Sequence, residues 1–175
     1  MSKYLVVSTS GNPDSNSRIM GRVALAHLQK AKVDCDWIDI SKLDLPLCDG
    51  DKCYANAAAQ KLKKTIEAAD GIIIAAPVYN FDVSAAAKNM IELTGEAWED
   101  KVIAFLCAAG GASSYMSVMA YANSLMLDFR CVVIPRFVFA TGDVFDADKL
   151  TDRKIEERIE HVADELVRFT KALRG

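Results

Sequence analysis

The segment Ser8-Thr9-Ser10-Gly11-Asn12-Pro13-Asp14-Ser15-Asn16-Ser17-Arg18 crowds hydroxyl and amide donors around one cation and opens straight into a helical pattern. A helix N-terminus carries free backbone N–H groups and a favourable dipole, so this segment has the chemistry of an anion site. Neither GxxxxGK[ST] nor GxGxxG is present, which argues against a nucleoside triphosphate and the usual dinucleotide fingerprint. The same residue types also describe an ordinary capped turn. A second segment, Ala76-Pro77-Val78-Tyr79-Asn80-Phe81, sets two aromatics around an amide. Such a group could line a flat apolar ligand and hydrogen-bond its edge, or its rings could simply complete a core. A third, Ala109-Gly110-Gly111-Ala112-Ser113-Ser114, lets the backbone approach a ligand closely or make a tight turn.

Other residues with chemical potential have simpler readings. Cys48 and Cys53, spaced C-x4-C in a polar stretch, have the residue types of a redox pair or half a metal site. A structural metal wants four ligands, and no second Cys or Cys/His pair lies nearby, so they read as free loop cysteines and no metal is expected. Cys107 falls inside an apolar run and behaves as a small hydrophobe. His27 and His161 lie on helical patterns remote in sequence from the three segments and read as structural or solvated.

Each of the three segments follows an apolar run and precedes a helical one, which gives the elements that must position them. Tyr4–Val7, Gly71–Ala76 and Val102–Ala108 are unalternating runs, as expected of strands buried on both faces. Val33, Cys35 and Trp37 alternate with Asp34 and Asp36, predicting a strand with one wetter face at a sheet edge. Cys131–Ile134 is a further run, halted at Pro135. Helices are predicted over residues 17–30, 57–69, 85–94 (closed by Gly95), 115–127 and 152–173. The last carries an apolar stripe of Ile155, Ile159, Val162, Leu166, Phe169 and Leu173, with Thr151 placed to cap it. Five strands alternating with five helices predict an α/β fold with a parallel, doubly wound sheet, in which ligands bind outside the carboxyl ends of the strands.

Composition narrows the classes further. At 175 residues the chain suits one domain, residues 1–175, with a core large enough to need no staple. Hydrophobic residues make up 51% and charged ones 26%, which excludes disorder and a coiled coil. A net charge of −3 with no basic stripe argues against nucleic acid, and no apolar run approaches a membrane span. Without a secretory pattern, and with five scattered cysteines, the protein is expected in the cytoplasm. Alanine is in excess at 25 of 175 residues, and part of that excess (Ala75-Ala76, Ala85-Ala86-Ala87, Ala108-Ala109, Ala112) falls within or beside the three segments.

Taken in order and spacing, STSGNPDSNSR, APVYNFDVSAAAKNMIE and AAGGASSYM resemble the NAD(P)H-dependent FMN reductases of the flavodoxin-like fold, a group with azo-, quinone- and chromate-reducing members. The resemblance implies a three-layer, five-stranded parallel sheet in the order 2-1-3-4-5. It places Ser10, Asn12, Asn16, Ser17 and Arg18 at the FMN phosphate. Pro77, Val78, Tyr79, Asn80 and Phe81 would border the isoalloxazine ring, and Ala109, Gly110 and Gly111 would close its other side. Lys88 and Asn89 match positions that look structural in the family. The chain departs from the family pattern at Asn12 (often Arg), Val78 (often Glu) and Ala85-Ala86 (often Pro-Gly). The implied activity is hydride transfer from NAD(P)H to FMN and on to a small acceptor, a quinone, azo compound, free flavin or metal oxyanion. No catalytic side chain is then required, because the flavin carries the chemistry. A homo-oligomer, dimer or tetramer, is implied as well. An electron-carrier flavodoxin and a scaffold without flavin are the rival readings.

Overall fold

The computed structural model describes residues 2–174. Its central sheet is parallel, with β1 (Tyr4–Ser8), β2 (Cys35–Asp39), β3 (Gly71–Tyr79), β4 (Val102–Ala109), β5 (Val132–Val133) and β6 (Val138–Thr141). β2 lies at one edge, followed by β1, β3 and β4. The fifth lane is shared, since β5 pairs with Val102–Ile103 at one end of β4 and β6 pairs with Leu106–Ala109 at the other. The predicted order 2-1-3-4-5 is therefore observed, with one refinement. Pro135 does interrupt the last strand, and Arg136 turns through a left-handed φ of 63°, but the chain then resumes the same lane. Proline has no N–H for the ladder, so the break falls where the sequence puts it, while resumption depends on the open edge of β4.

Alternation along the buried strands sorts their side chains onto two faces. On one face Tyr4, Val6, Ile73, Ala75, Ala104 and Leu106 pack under α1 (Asn16–Lys30) and α5 (Arg153–Arg174). On the other, Leu5, Val7, Ile72, Ile74, Phe105 and Cys107 pack under α2 (Ala57–Ala68), α3 (Ala85–Thr94) and α4 (Met119–Phe129). This is the three-layer arrangement. The edge strand β2 is only partly buried, in keeping with its alternating pattern, although its paired residues run two positions later than predicted.

Several local expectations are corrected. Ala76 to Tyr79 are not loop: they continue β3, with Pro77 in register opposite Ala108. The turn is confined to Asn80 and Phe81, both left-handed at φ 51° and 65°, and Asp82–Val83 returns antiparallel against Tyr79 and Val78. A two-residue turn of that hand matches the strand twist and so closes a hairpin. The stretch 112–118 forms a tighter 3₁₀ segment, so α4 starts later than residue 115. Asp152, not Thr151, caps α5: its Oδ1 accepts from the N–H groups of Lys154 (2.8 Å) and Ile155 (3.2 Å). Thr151 instead donates its hydroxyl to the Val144 carbonyl. The α5 stripe ends before Leu173, which is exposed.

Candidate functional site

The ends of β1, β3 and β4 are neighbours in the sheet, because Ser8 is in register with Ala75 and Pro77 with Ala108. The three chemistry-bearing segments thus emerge side by side at the carboxyl edge. In the first, Ser15 caps α1 and accepts from the Arg18 N–H at 3.4 Å. Ser10 is fully buried and its hydroxyl accepts from the Asn12 N–H at 3.2 Å. The Asn12 side-chain oxygen accepts in turn from the Asp14 N–H at 3.0 Å, so Asn12 folds the loop rather than adding charge to it. The hydroxyls of Ser15 and Ser17 lie 2.9 Å apart. The N–H groups of Gly11, Asn16 and Ser17 find no acceptor among the described residues.

Arg18 stands apart from the other expected phosphate contacts. Its guanidinium forks onto Asp39 at the end of β2, with Nε 2.7 Å from Oδ2 and Nη2 3.2 Å from Oδ1. It also donates to the carbonyls of Ser10, Asn12 and Pro13 and to the Ser41 hydroxyl. Little donor capacity is left for a ligand, since a guanidinium has five N–H groups. Partial burial alone would raise the Asp39 pKa, but hydrogen bonds from Arg18 and Ser41 outweigh it and hold the carboxyl below its ordinary value.

In the second segment Tyr79 and Phe81 are 52% and 66% exposed, so these aromatics do not complete the core. Asn80 is exposed between them. Val78 is buried against the helical layer and offers an open site only its backbone. In the third segment neither Gly110 nor Gly111 has a positive φ, and a Cβ added to either meets nothing within 4 Å. Their own chain does not require glycine there, so the open space above them is the feature to explain. Ala109 ends β4, buried, in register with Thr141.

Some contributors had no local signal. Ser84 caps α3 and donates its hydroxyl to the Thr9 carbonyl at 2.8 Å, tying the first segment to the helix after the hairpin. Asp39, the last residue of β2, and Ser41 just beyond it hold Arg18 from a segment that carried no motif. Lys88 pairs with Glu92, and Asn89 brackets another loop by accepting from the Cys48 N–H (2.8 Å) and donating to the Pro46 carbonyl (2.9 Å). Asn89 thus ties that loop to α3, while the Lys88 pair is exposed on the surface. His27 binds Asp164 of α5 at 2.8 Å, far from the carboxyl edge. A recess of about 770 Å³ lies between α1 and the hairpin of residues 145–150 and touches neither the β3 nor the β4 segment.

A doubly wound sheet with an anion-ready loop, a protruding aromatic hairpin and an open glycine loop at one carboxyl edge defines a mononucleotide-binding α/β protein. A sequence profile of the NADPH-dependent FMN reductase family matches residues 2–146, and the chain belongs to that family. It is similar to an NAD(P)H-dependent FAD/FMN reductase of Geobacillus thermodenitrificans, 29% identical over 156 residues, covering 85% of this chain and 84% of the relative. It is 32% identical over 150 residues to an NADPH:quinone oxidoreductase of Arabidopsis thaliana, covering 80% and 76%. Among solved structures, the flavoenzyme NAD(P)H:(acceptor) oxidoreductase of Paracoccus denitrificans superposes with a TM-score of 0.79 over 98% of both chains. At 20% identity, that likeness concerns the fold. The chain is accordingly an NAD(P)H-dependent oxidoreductase that uses FMN, which favours the enzyme over the electron carrier.

Proposed function

We propose that this chain, residues 1–175 acting as one FMN-binding unit, holds FMN at the carboxyl edge and reduces a small acceptor with NAD(P)H. One observation carries the placement: unpaired N–H groups at the start of α1 and open space over Gly110 and Gly111 lie at the same carboxyl edge of the sheet, on either side of the β3 hairpin. A dianionic phosphate suits the first and a flat ring the second. The Asn16 backbone N–H donates to the phosphate and Asn12 supplies a polar side chain at its edge, while the buried Ser10 and Ser17 hydroxyls shape the loop beneath it. Arg18 keeps this loop in shape through Asp39 and the loop carbonyls rather than touching the phosphate. Tyr79, Asn80 and Phe81 border one side of the ring with Pro77 and the Val78 backbone behind them. Ala109, Gly110 and Gly111 approach it from the other side.

When bound, FMN supplies hydride acceptance from a nicotinamide and electron delivery to a small acceptor, such as a quinone, an azo compound, free flavin or a metal oxyanion. The residues of the chain bind, orient and leave one ring face open for successive partners. Exposed Tyr79, Phe81, Tyr115, Met116 and Met119 support a homo-oligomer, dimer or tetramer, with the second copy packed at this rim. The family assignment supports a cytoplasmic location, and no described helix is long and apolar enough to cross a membrane.

The visible spectrum of the purified protein, followed by anaerobic addition of NADH or NADPH, tests the reading. Rapid bleaching of a flavin band is expected, and the ratio of rates gives the preferred nicotinamide. A flavin that stays oxidised until a partner reductase is added would assign the carrier role instead. A colourless protein that takes up no FMN would leave only the scaffold.

A further inference from the structure

Cys48 and Cys53 stand outside the flavin site, and the fold brings their Sγ atoms to 3.7 Å. Side-chain hydrogen bonds and one left-handed glycine keep the intervening turn compact. Asp49 Oδ1 accepts from the N–H groups of Asp51 (2.9 Å) and Cys53 (3.0 Å), and Gly50 takes a left-handed φ of 75°. The turn is anchored at both ends. Cys48 N–H is held by Asn89 of α3, while Cys53 is buried against Ala59 of α2 and Leu93 of α3. Cys48 is partly exposed, and its Sγ lies 3.7 Å from the Tyr54 hydroxyl. Among the described residues no group of three or more His, Cys, Asp or Glu side chains gathers as metal ligands, so two sulfurs face each other without the rest of a metal site.

We propose that Cys48 and Cys53 form a reversible dithiol–disulfide couple, with the partly exposed Cys48 as the attacking thiol and buried Cys53 as the resolving thiol, oxidised by low-molecular-weight disulfides. A disulfide bond of about 2.05 Å requires the sulfurs to close by roughly 1.7 Å, within reach of side-chain rotation in an anchored turn. The protonation chemistry runs the same way. The Gly50 N–H and Tyr54 hydroxyl lower the Cys48 pKa, while burial and Asp49 raise that of Cys53. In the first step the Cys48 thiolate attacks one sulfur of the oxidant RS–SR. An S–S bond forms to Cys48, and RS⁻ leaves and takes up a proton. In the second, Cys53 loses its proton to water and attacks the Cys48 sulfur, forming Cys48–Cys53 and expelling the second RS⁻. Two protein thiols are oxidised and one small disulfide is reduced to two thiols. The couple does not depend on the flavin reading.

Oxidised glutathione is the probe, added to the pre-reduced full chain, with intact mass and alkylation mapping as readouts. The wild type is expected to become lighter by two hydrogen atoms, with the loss mapped to residues 48–53 and reversed by excess reduced glutathione. Cys53→Ser is expected to trap a glutathione adduct on Cys48, and Cys53→Ala serves the same purpose if serine disturbs the buried position. Cys48→Ser is expected to react at least tenfold more slowly and to form no disulfide within this turn. A stable glutathione adduct on the wild type, or hydrogen loss that persists in Cys48→Ser, would overturn the proposal.

Discussion

Arg18 is the residue whose type and role are most easily confused. A lone cation in a phosphate-like loop reads as a ligand contact, yet its guanidinium is spent on Asp39 and three loop carbonyls. The ion pair is shielded, with side-chain exposures of 14% and 9%, so removing one partner leaves the other charge poorly solvated. Arg18→Met should therefore cost about 2 kcal/mol in urea denaturation, less than the 3–5 of a fully buried pair. Its pH dependence follows from Asp39, whose folded pKa lies below the unfolded value. The stability it contributes is present above about pH 4 and lost as pH falls through the folded pKa. The stability gap between wild type and Asp39→Asn, measured by urea midpoints, should narrow as pH falls below about 4. Gly111 makes the opposite case, because nothing in its own chain demands glycine. Gly111→Val should change stability by less than about 0.5 kcal/mol while weakening FMN binding at least tenfold in a fluorescence titration. Equal FMN affinity in both proteins would remove the ring from above this loop.

At the scale of elements, one contact between α5 and the sheet is tight enough to be decisive. A Cβ on Gly71, the first residue of β3, would lie 2.6 Å from Thr170 Oγ1 and 2.9 Å from the Tyr4 ring. Thr170 and Tyr4 are both buried, so neither can swing away into solvent. Gly71→Ala is expected to cost about 2 kcal/mol by overpacking, read as a lower urea midpoint with an unchanged slope. The hairpin at Asn80 and Phe81 is the second element with a consequence. Two consecutive left-handed residues project aromatic side chains outward instead of folding them into the core. That exposure removes the core-completing reading of Tyr79 and Phe81 that composition alone left open.

For the whole molecule, Tyr79, Phe81, Tyr115, Met116 and Met119 form one exposed apolar group at the carboxyl edge, where the 3₁₀ segment 112–118 packs beside the hairpin. Met116, 58% exposed, lies in that rim. For the proposed homo-oligomer packed at this rim, Met116→Asp should shift the sedimentation-velocity distribution toward monomer, with circular dichroism unchanged. Loss of FMN from the resulting monomer would show that a neighbouring copy completes the site.

Much of this architecture was legible in the chain because its rules are local. Unbroken apolar runs of four to eight residues become strands covered on both faces, 3.6-residue periodicity becomes helices, and alternation at residues 33–37 marks an edge. The family-bearing segments were readable for the same reason, since each is contiguous. What escaped was set by pairing between distant residues. Arg18 meets Asp39 across 21 positions, the Ser84 hydroxyl meets the Thr9 carbonyl across 75, and β6 finds its lane beside β4 after a proline break. The closeness of Cys48 and Cys53 likewise depends on Asn89 and Leu93 of a helix some 40 residues on. Backbone sterics and hydrophobic period act within a few residues and are written in order along the chain. Hydrogen-bond partners and close contacts are chosen only when the packed sheet brings remote segments together.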